Sequence, residues 1–237
     1  MNNLTNKVAY NTGGSKGIGL GIAATLAKEG MRIAISSRNI DECAKAAKGI
    51  NNDNERILAI ESDVRVLNDE MNSVKKITEH FGQLDVLIAN AGVGYFAPID
   101  QLSADDWAKT IDTNLTGVFN SVKASVDALK KSKGYIITMA SLAGTNFFEN
   151  GAAYNASKFG LVGFTQAIML DLRKHDIKVS TIMPGSVSTY FNNHEPGEKD
   201  NWKIQPEDIG QIVSDLLRMP SRTLPSKIEV RPAKPLR

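Results

Sequence analysis

Short runs rich in β-branched residues alternate with longer segments of helical periodicity along almost the whole chain. The runs that favour strands are residues 8–11, 32–36, 56–62, 86–89, 135–139, 179–183 and 228–230. Such alternation is typical of stacked βαβ units around a parallel sheet, and the middle runs are apolar enough to be covered on both faces. With 237 residues and no linker or repeat, the chain is predicted to form one α/β domain, residues 1–237. Its core would be a doubly wound, seven-stranded parallel sheet flanked by helices on both faces.

The helical segments differ in how much of their surface is apolar. Residues 20–29 and 67–81 carry apolar side chains at helical spacing along one side. Residues 152–172 carry them all round, and a helix that is apolar all round is buried all round. One side is therefore predicted to lie on the sheet and the other, within residues 154–173, to meet a second subunit in a two-fold contact. The alternative is that another helix or loop of the same chain covers that side.

Composition and charge exclude several classes of protein. The formal net charge of +2 leaves no basic excess for binding nucleic acid or an acidic membrane surface. Cys43 is the single cysteine, residues 1–7 contain no apolar leader, and no long run is free of polar interruption, so we expect a cytoplasmic protein. The three histidines, His80, His175 and His194, lack carboxylate or cysteine partners at ligand spacing, and no metal is assigned.

A glycine-rich turn, residues 12–19, follows the first predicted strand and runs into the first helix. Glycine permits positive φ and close approach of the backbone, while the free N–H groups and the dipole at a helix start favour a phosphate. The cofactor-binding residues predicted here are Gly13, Ser15, Lys16, Gly17, Ile18 and Gly19. The position at the first βα junction favours a dinucleotide pyrophosphate over the alternative, a tight turn without a ligand.

The end of the second predicted strand indicates which dinucleotide binds. In dinucleotide-binding folds an acidic residue about 20 residues past the glycines grips the ribose hydroxyl, whereas an arginine accommodates a 2′-phosphate. Here Ser37 and Arg38 occupy this place, residues 31–39 contain no acid, and Lys16 adds a second positive charge in the glycine turn. These residues favour NADP(H) over NAD(H). The alternative is that both cations are solvated surface groups.

Tyr154 and Lys158 lie four residues apart in the predicted helix 152–172, so they share one face. A free tyrosine has a pKa of about 10, too high for efficient proton exchange at neutral pH. A neighbouring ammonium stabilises the phenolate and lowers that pKa, which would suit the pair for general acid and base catalysis. The spacing also arises by chance, so the surrounding motifs decide its meaning.

In the order and spacing of its motifs, nearly the whole chain resembles the short-chain dehydrogenase/reductase family. The matching pieces are residues 12–19, Asp63-Val64, Asn90-Ala91-Gly92, Asn114 within residues 113–117, Ser141 with Ala143-Gly144, residues 154–158, and Pro184-Gly185 before Thr189. Ser141 precedes Tyr154 by 13 residues, the separation usual in that family. The resemblance implies a Rossmann fold and an NADP(H)-dependent oxidoreductase that transfers a hydride between a nicotinamide and a carbonyl or secondary alcohol.

The resemblance implies catalytic roles for Asn114, Ser141, Tyr154 and Lys158. Tyr154 would be the general acid in carbonyl reduction and the base in alcohol oxidation, and Ser141 would hydrogen-bond the substrate oxygen as charge develops. Lys158 would lower the pKa of Tyr154 and bind the nicotinamide ribose, while Asn114 would hold a water that joins Lys158 to solvent. Judged singly, Asn114 could instead cap or kink its helix, and Ser141 could end a strand.

The resemblance also implies further cofactor contacts. They are Asp63, Val64, Asn90, Ala91, Gly92, Tyr154, Lys158, Pro184, Gly185, Val187 and Thr189. Asp63 resembles the adenine contact, Asn90 a residue lining the adenosine ribose and strand end, and residues 184–189 the clamp on the nicotinamide carboxamide. Asp63 could otherwise cap a turn.

Asn11 departs from the family pattern, which generally has an apolar residue at this place in the first strand. A buried amide without partners costs about 1–3 kcal/mol. Asn11 is therefore expected either to be hydrogen-bonded or to lower the stability of the protein.

Substrate selection is predicted in residues 93–96 and 142–149 and in a substrate loop at about 188–203. Their aromatic side chains are Tyr95, Phe96, Phe147, Phe148, Tyr190 and Phe191. These could line a mostly apolar pocket for a modest carbonyl compound, although half of them could belong to the core. The loop is short and acidic, which argues against a steroid.

Two other functions stay open. A 3-oxoacyl-carrier-protein reductase needs a basic patch for its acidic carrier, and the candidate cations are Lys130, Lys131, Lys133, Arg173 and Lys174. Cations near helix C-termini also complement the helix dipole without any partner. The Pro-rich chain end lacks the glycine-rich terminal segment through which those tetrameric reductases usually pack, so a homodimer is favoured. The second alternative is a non-catalytic NADPH-binding regulator, against which the intact set of four catalytic residues argues.

Overall fold

The computed structural model describes residues 3–51 and 55–234. Within them the strands are β1 (Val8–Thr12), β2 (Arg32–Ser37), β3 (Ile57–Glu61), β4 (Val86–Ala89), β5 (Tyr135–Met139), β6 (Lys178–Pro184) and β7 (Lys227–Val230). The α-helices are α1 (Gly17–Lys28), α2 (Ile40–Ile50), α3 (Leu67–Phe81), α4 (Ala104–Ile111), α5 (Gly117–Ser132), α6 (Ala152–Leu172) and α7 (Pro206–Arg218). The strands form one parallel sheet in the order β3-β2-β1-β4-β5-β6-β7. The predicted seven-stranded α/β architecture is confirmed.

The predicted element boundaries are close to the observed ones. β4 and β5 agree with the prediction at both ends, and the other strands differ by one residue at one or both ends. The first helix begins at Gly17 instead of residue 20. The N–H of Leu20 already bonds to the oxygen of Lys16, which lies just before the helix. The hydrogen-bonded helix therefore starts before the apolar periodicity that made it visible in the sequence.

Helices cover both faces of the sheet. α1, α2 and α7 pack on one face, where Ile22 and Val213 are fully buried. α3, α5 and α6 pack on the other, around Ile77 and Leu161. Each fully buried side chain of this size contributes about 1.5–3 kcal/mol through removal from water. Among the described residues, no helix combines the length and hydrophobicity needed to cross a bilayer.

All the strands end at the same side of the sheet because they are parallel. This carboxyl edge is where ligands bind in open α/β sheets. The strand-end motifs predicted to bind the cofactor follow β1, β2, β3, β4 and β6, and the predicted catalytic Ser141 follows β5, so they meet along this edge. Segments that are far apart in the sequence thus become neighbours.

The long helix α6 is buried on one side. Leu161 and Thr165 are fully buried toward the sheet, whereas Leu170 is 55% exposed. A Cβ placed on Gly163 would meet nothing within 4 Å. The outward side of α6 is therefore uncovered within residues 3–51 and 55–234, and the alternative of a cover from the same chain is not realised there.

Candidate active site

The glycine turn after β1 leaves no room for larger residues. Gly13 and Gly17 have φ angles of +67° and +57°, in the left-handed region that favours glycine. A Cβ on Gly13 would lie 2.9 Å from the Cα of Ala91, and one on Gly19 would lie 2.3 Å from the oxygen of Gly13. The turn therefore depends on its glycines.

Helix α1 begins at this turn with its first N–H groups uncapped. Lys16 precedes the helix with an extended backbone and no side-chain cap, and the first turn contains no acidic residue. The unpaired N–H groups and the positive end of the helix dipole favour an anion. Together with Ser15 and Ile18 on either side of the helix start, these residues fit the pyrophosphate of a dinucleotide.

Asn90 ties the glycine turn to the end of β4. Its Nδ2 donates to the backbone oxygens of Thr12 at 2.9 Å and Gly13 at 3.2 Å. Thr12 Oγ1 accepts from the N–H groups of Asn90 at 3.1 Å and Ala91 at 3.2 Å. Asn90 and Ala91, predicted as cofactor contacts, thus also hold the turn in place.

The buried side chain of Asn11, beneath the turn, forms hydrogen bonds through only one of its two polar atoms. Its Nδ2 donates to the oxygen of Gly19 at 2.7 Å, whereas its buried Oδ1 has no hydrogen-bond partner within the described part of the chain. The expected partner is therefore present for the donor of the amide and absent for its acceptor. The bond supports the glycine turn from below.

Arg38 is exposed beyond the end of β2, where the sequence predicted a 2′-phosphate contact. A cavity of about 470 Å³ opens beside it, with Asp63 and Lys76 also in its lining. The Asp63 carboxylate pairs with Arg65 at 2.5 Å, and hydrogen bonding to this guanidinium lowers the pKa of Asp63. Asp63 also accepts from the Arg65 N–H at 3.0 Å, so it does cap its turn, and an adenine would have to share it with Arg65.

Asn114 lies in a π-helical turn between α4 and α5. Its Nδ2 donates to the oxygen of Val93 at 2.9 Å and to Ser157 Oγ at 3.0 Å, and its Oδ1 accepts from the Val93 N–H at 2.8 Å. A Cβ on Gly92 would lie 3.3 Å from Asn114 Oδ1 and 3.7 Å from Lys158 Nζ, so the two groups face one small space. π-Bulges occur frequently at functional sites, and here the irregular turn places Asn114 beside Lys158.

Tyr154 and Lys158 share one face of α6, as the spacing predicted. Lys158 is 4% exposed, and its Nζ donates to the backbone oxygen of Met139 at 2.9 Å. The same Nζ lies 5.6 Å from the centroid of the Tyr154 ring. The ammonium and the phenol are near each other, but the ammonium bonds to the end of β5.

Ser141 follows β5 at the carboxyl edge. Its Oγ accepts from the N–H of Ala143 at 3.1 Å and donates to the oxygen of Pro184 at 3.4 Å. The Ser141 hydroxyl is also near enough to Tyr154 to oppose the rise in the pKa of that phenol. The hydroxyls of Ser141 and Tyr154 therefore lie near each other at this edge.

Burial governs the proton affinity of Tyr154 and Lys158. Loss of solvation raises the pKa of Tyr154 to about 12 and lowers the pKa of Lys158 to about 8. The Tyr154 pKa is therefore raised overall and not lowered as expected for the pair, because desolvation is the largest influence on the phenol. Tyr154 is a neutral phenol at neutral pH, the form that donates a proton.

Residues 184–189, which start at the last residue of β6, lie against the glycine turn. Thr189 is 9% exposed, and a Cβ on Gly17 would lie 3.3 Å from its Cγ2. Val187 pairs with Ile204 in an isolated parallel bridge, which holds the segment in an extended form. The segment that contains Pro184 and Gly185 therefore borders the cofactor region predicted for it.

Three phenylalanines surround the ring of Tyr154, and we call Phe96, Phe148 and Phe191 the aromatic cluster. Their ring centroids lie 5.4, 6.4 and 5.7 Å from that of Tyr154, respectively. Phe96 also contacts Phe148 at 5.7 Å and Phe191 at 6.3 Å. The other aromatic residues predicted for the pocket, Tyr95, Phe147 and Tyr190, have no ring contact with Tyr154 among those of the described residues.

A buried carboxylate fastens the loop that carries Phe191. Asp200 is 5% exposed and accepts from Lys203 Nζ at 2.6 Å, from His194 Nε2 and from Ser188 Oγ at 3.3 Å. Hydrogen bonds from Lys203 and His194 hold the pKa of Asp200 well below its usual range. The sequence offers His194 no carboxylate partner at metal-ligand spacing, and the fold brings Asp200 to it as a hydrogen-bond partner.

Asn155 is a site residue that the sequence reasoning missed. Its Nδ2 donates to the oxygens of Ala143 and Asn146, both at 2.8 Å, and so holds the segment after Ser141 against α6. Asn155 follows Tyr154 directly, and a polar side chain on a mostly apolar helix was the signal that could have identified it.

Known proteins match the chain over most of its length. Residues 7–200 match the model of the short chain dehydrogenase family. An uncharacterized oxidoreductase of Staphylococcus saprophyticus is 34% identical over 98% of this chain and 100% of its own length. The glycine betaine reductase ATRR of Emericella nidulans is 30% identical over 97% of this chain, which spans 19% of that longer protein.

A solved structure also matches this chain along almost its whole length. The alcohol dehydrogenase of the archaeon Thermococcus sibiricus, complexed with 5-hydroxy-NADP, superposes with a TM-score of 0.90 and 30% identity. The match covers 98% of this chain and 99% of that one. A family model that spans most of the chain, with relatives and a structure matching almost end to end, shows that this protein is an oxidoreductase of the short-chain dehydrogenase/reductase family.

Proposed function

We propose that the protein is an NADP(H)-dependent carbonyl reductase that converts a small ketone or aldehyde to its alcohol and, in reverse, oxidises a secondary alcohol. The observation that carries this is the convergence of Ser141 and a neutral Tyr154 phenol, with Lys158 beside them, at the edge where the glycine turn fits a dinucleotide. These three residues, with Asn114, are the proposed catalytic set.

In the reductive direction Tyr154 donates its proton to the carbonyl oxygen as negative charge develops there. Ser141 turns its Oγ from the Pro184 oxygen, a long contact of 3.4 Å, and donates to the same carbonyl oxygen. The bound nicotinamide supplies the hydride. The Lys158 ammonium stabilises the phenolate that Tyr154 becomes, and Asn114 borders the space through which Lys158 exchanges protons with solvent.

For the cofactor we propose NADP(H) over NAD(H). Arg38 is exposed at the place where dinucleotide folds receive a 2′-phosphate, and Lys16 is exposed at the start of α1. Two cations at these places favour the phosphorylated cofactor. The archaeal relative solved with 5-hydroxy-NADP supports this assignment.

We also propose that residues 1–237 form one domain, that residues 188–203 are the substrate loop, and that two copies associate through α6. The outward side of α6 supports the association, because Leu170 is 55% exposed and Ala167 and Gly163 are exposed beside it. On α5, Phe119 is 46% exposed and contacts Phe164 of α6. A two-fold contact would bury this apolar surface.

The function is tested by mixing the protein with NADPH and a panel of ketones, diketones and β-keto thioesters and following the absorbance of the cofactor. Turnover that is lost in Tyr154→Phe while NADPH binding is retained supports the proposal. Binding of NADPH without turnover of any compound would favour the non-catalytic regulator.

The carrier-protein reductase has less support from the surface charges. Lys130 lies 3.5 Å from Asp127 and Lys133 lies 2.9 Å from Asp176, so two of the candidate cations are already paired with acids. If Lys131→Glu and Arg173→Glu raise KM for a carrier-linked substrate but not for the free thioester, this alternative regains weight.

A further inference from the structure

We propose that the preferred substrate is an aryl ketone or aldehyde whose aromatic ring packs on the aromatic cluster while its carbonyl oxygen meets Tyr154. This inference rests on the proposed function and names the substrate class of the same site. Its basis is the arrangement of the aromatic cluster.

Phe148 and Phe191 stand on two sides of the Phe96–Tyr154 pair. Each of them contacts both Phe96 and Tyr154, at 5.7 to 6.4 Å. Among the ring contacts of the described residues, none joins Phe148 to Phe191. The two rings are therefore separate apolar contact surfaces beside Tyr154.

The two flanking rings keep part of their apolar surface exposed. Phe148 is 45% exposed and Phe191 is 37% exposed, next to the group that donates the proton. Exposed apolar surface beside polar reacting groups marks a ligand site. Aromatic rings at such separations favour another aromatic ring, edge to face or offset, over a saturated chain of equal area.

Phe191 is held in this position by the chain around it. A Cβ on Gly94 would lie 2.5 Å from Phe191 Cζ, so the ring fills the space that glycine leaves. The loop behind it is held by an ion pair, in which Lys203 Nζ lies 2.6 Å from Asp200 Oδ1. The flanking ring is thus part of a formed wall.

Lys158 and Lys109 are already paired, so neither favours an anionic substrate. Lys158 is buried and bonds to Met139, and Lys109, 6.0 Å from the ring of Tyr95, is paired with Asp105 at 2.5 Å.

Since both flanking rings lie within 6.4 Å of the Tyr154 ring, the aryl group must be attached within one or two carbons of the carbonyl.

The test compares phenylacetone with cyclohexylacetone, in which the ring differs while the carbonyl is equally remote from it. With NADPH the wild-type protein is expected to show a kcat/KM about tenfold higher for phenylacetone, because ring contacts add to area burial. Phe148→Leu and Phe191→Leu should bring the ratio close to one, largely by lowering the phenylacetone value. Phe147→Leu is the matched control, since Phe147 is 82% exposed and stacks on Phe159 away from Tyr154, and it should keep the ratio.

A binding measurement separates this inference from the proposed function. Tyr154→Phe keeps the ring and removes the acid, so calorimetry on its NADPH complex should show tighter binding of phenylacetone than of cyclohexylacetone. Preferential binding of phenylacetone without turnover of either ketone by the wild type would overturn the function and leave the aryl site standing. Turnover of both ketones without preference, or a preference untouched by both Leu variants, would overturn the aryl site alone.

Discussion

The Lys158 ammonium lies 5.6 Å from the centroid of the Tyr154 ring and donates its hydrogen bond to a backbone oxygen of β5 at 2.9 Å. Neither group neutralises the other, and burial moves each toward its uncharged form. Carbonyl reduction needs a protonated Tyr154 at the start of the step, and this arrangement provides it.

Replacing the proton donor tests the catalytic assignment. Tyr154→Phe is expected to lower kcat by about 10²- to 10⁴-fold, the usual contribution of a positioned general acid. The dissociation constant of NADPH should change little, because the ring is kept. Tyr135→Phe is the control, since Tyr135 begins β5, at the opposite end of that strand from Ser141, and it should retain full activity. Equal loss in both variants would contradict the assignment.

The pH dependence of reduction should follow Lys158. Its pKa is lowered to about 8, whereas that of Tyr154 is raised to about 12, so the ammonium is the first of the two to lose its proton as the pH rises. We expect kcat to be level near neutral pH and to fall above about pH 8. In Lys158→Arg the fall should move to higher pH because a guanidinium stays charged. A profile that is unchanged in Lys158→Arg would show that another group titrates.

Cofactor choice should depend on Arg38. Arg38→Asp is expected to raise the NADPH dissociation constant about 10- to 100-fold, the equivalent of one lost charge-assisted hydrogen bond, with a much smaller effect on NADH. Fluorescence titration of both cofactors measures this. Arg222→Asp, at another exposed arginine, makes the same charge change away from the site. An equal rise in the dissociation constants of both cofactors in Arg38→Asp would contradict the NADP(H) assignment.

The loop anchor at Asp200 should fail in acid. Its folded-state pKa lies below the ordinary value of 3.8, so the anchor is fully present above that pH and is lost as the pH falls through the lower folded-state pKa. In a Trp107→Phe background the fluorescence of Trp202 reports on the loop. Asp200→Asn should show the acid spectrum already at neutral pH and should raise KM for the ketone, whereas Glu195→Gln, exposed on the same loop, should do neither.

The dimer should depend on the outward side of α6. Leu170→Glu is expected to convert a dimer to a monomer in light scattering, because a charge would be buried at the contact without a partner. Met71→Glu introduces the same charge at a residue of α3 that is 54% exposed and should leave the mass unchanged. A wild-type protein that is monomeric at high concentration would refute this assembly.

Sequence reasoning located the strands to within a residue and identified the glycine turn, Ser141, Tyr154 and Lys158 as candidate site residues. It did not foresee contacts that depend on how distant segments pack. His194 meets Asp200 because the loop reverses between them, and the Lys158 nitrogen reaches Met139 because α6 crosses the end of β5. Neither contact can be predicted from the spacing of residues along the chain.

The order of apolar runs and glycines determined the sheet by itself, because parallel strands with helical crossovers bring all their carboxyl ends to one edge. The tertiary structure alone decided the protonation of Tyr154, the aromatic cluster around it and the anchor of its loop. Those depend on desolvation and on side chains that converge from distant segments, and both are properties of packing in space.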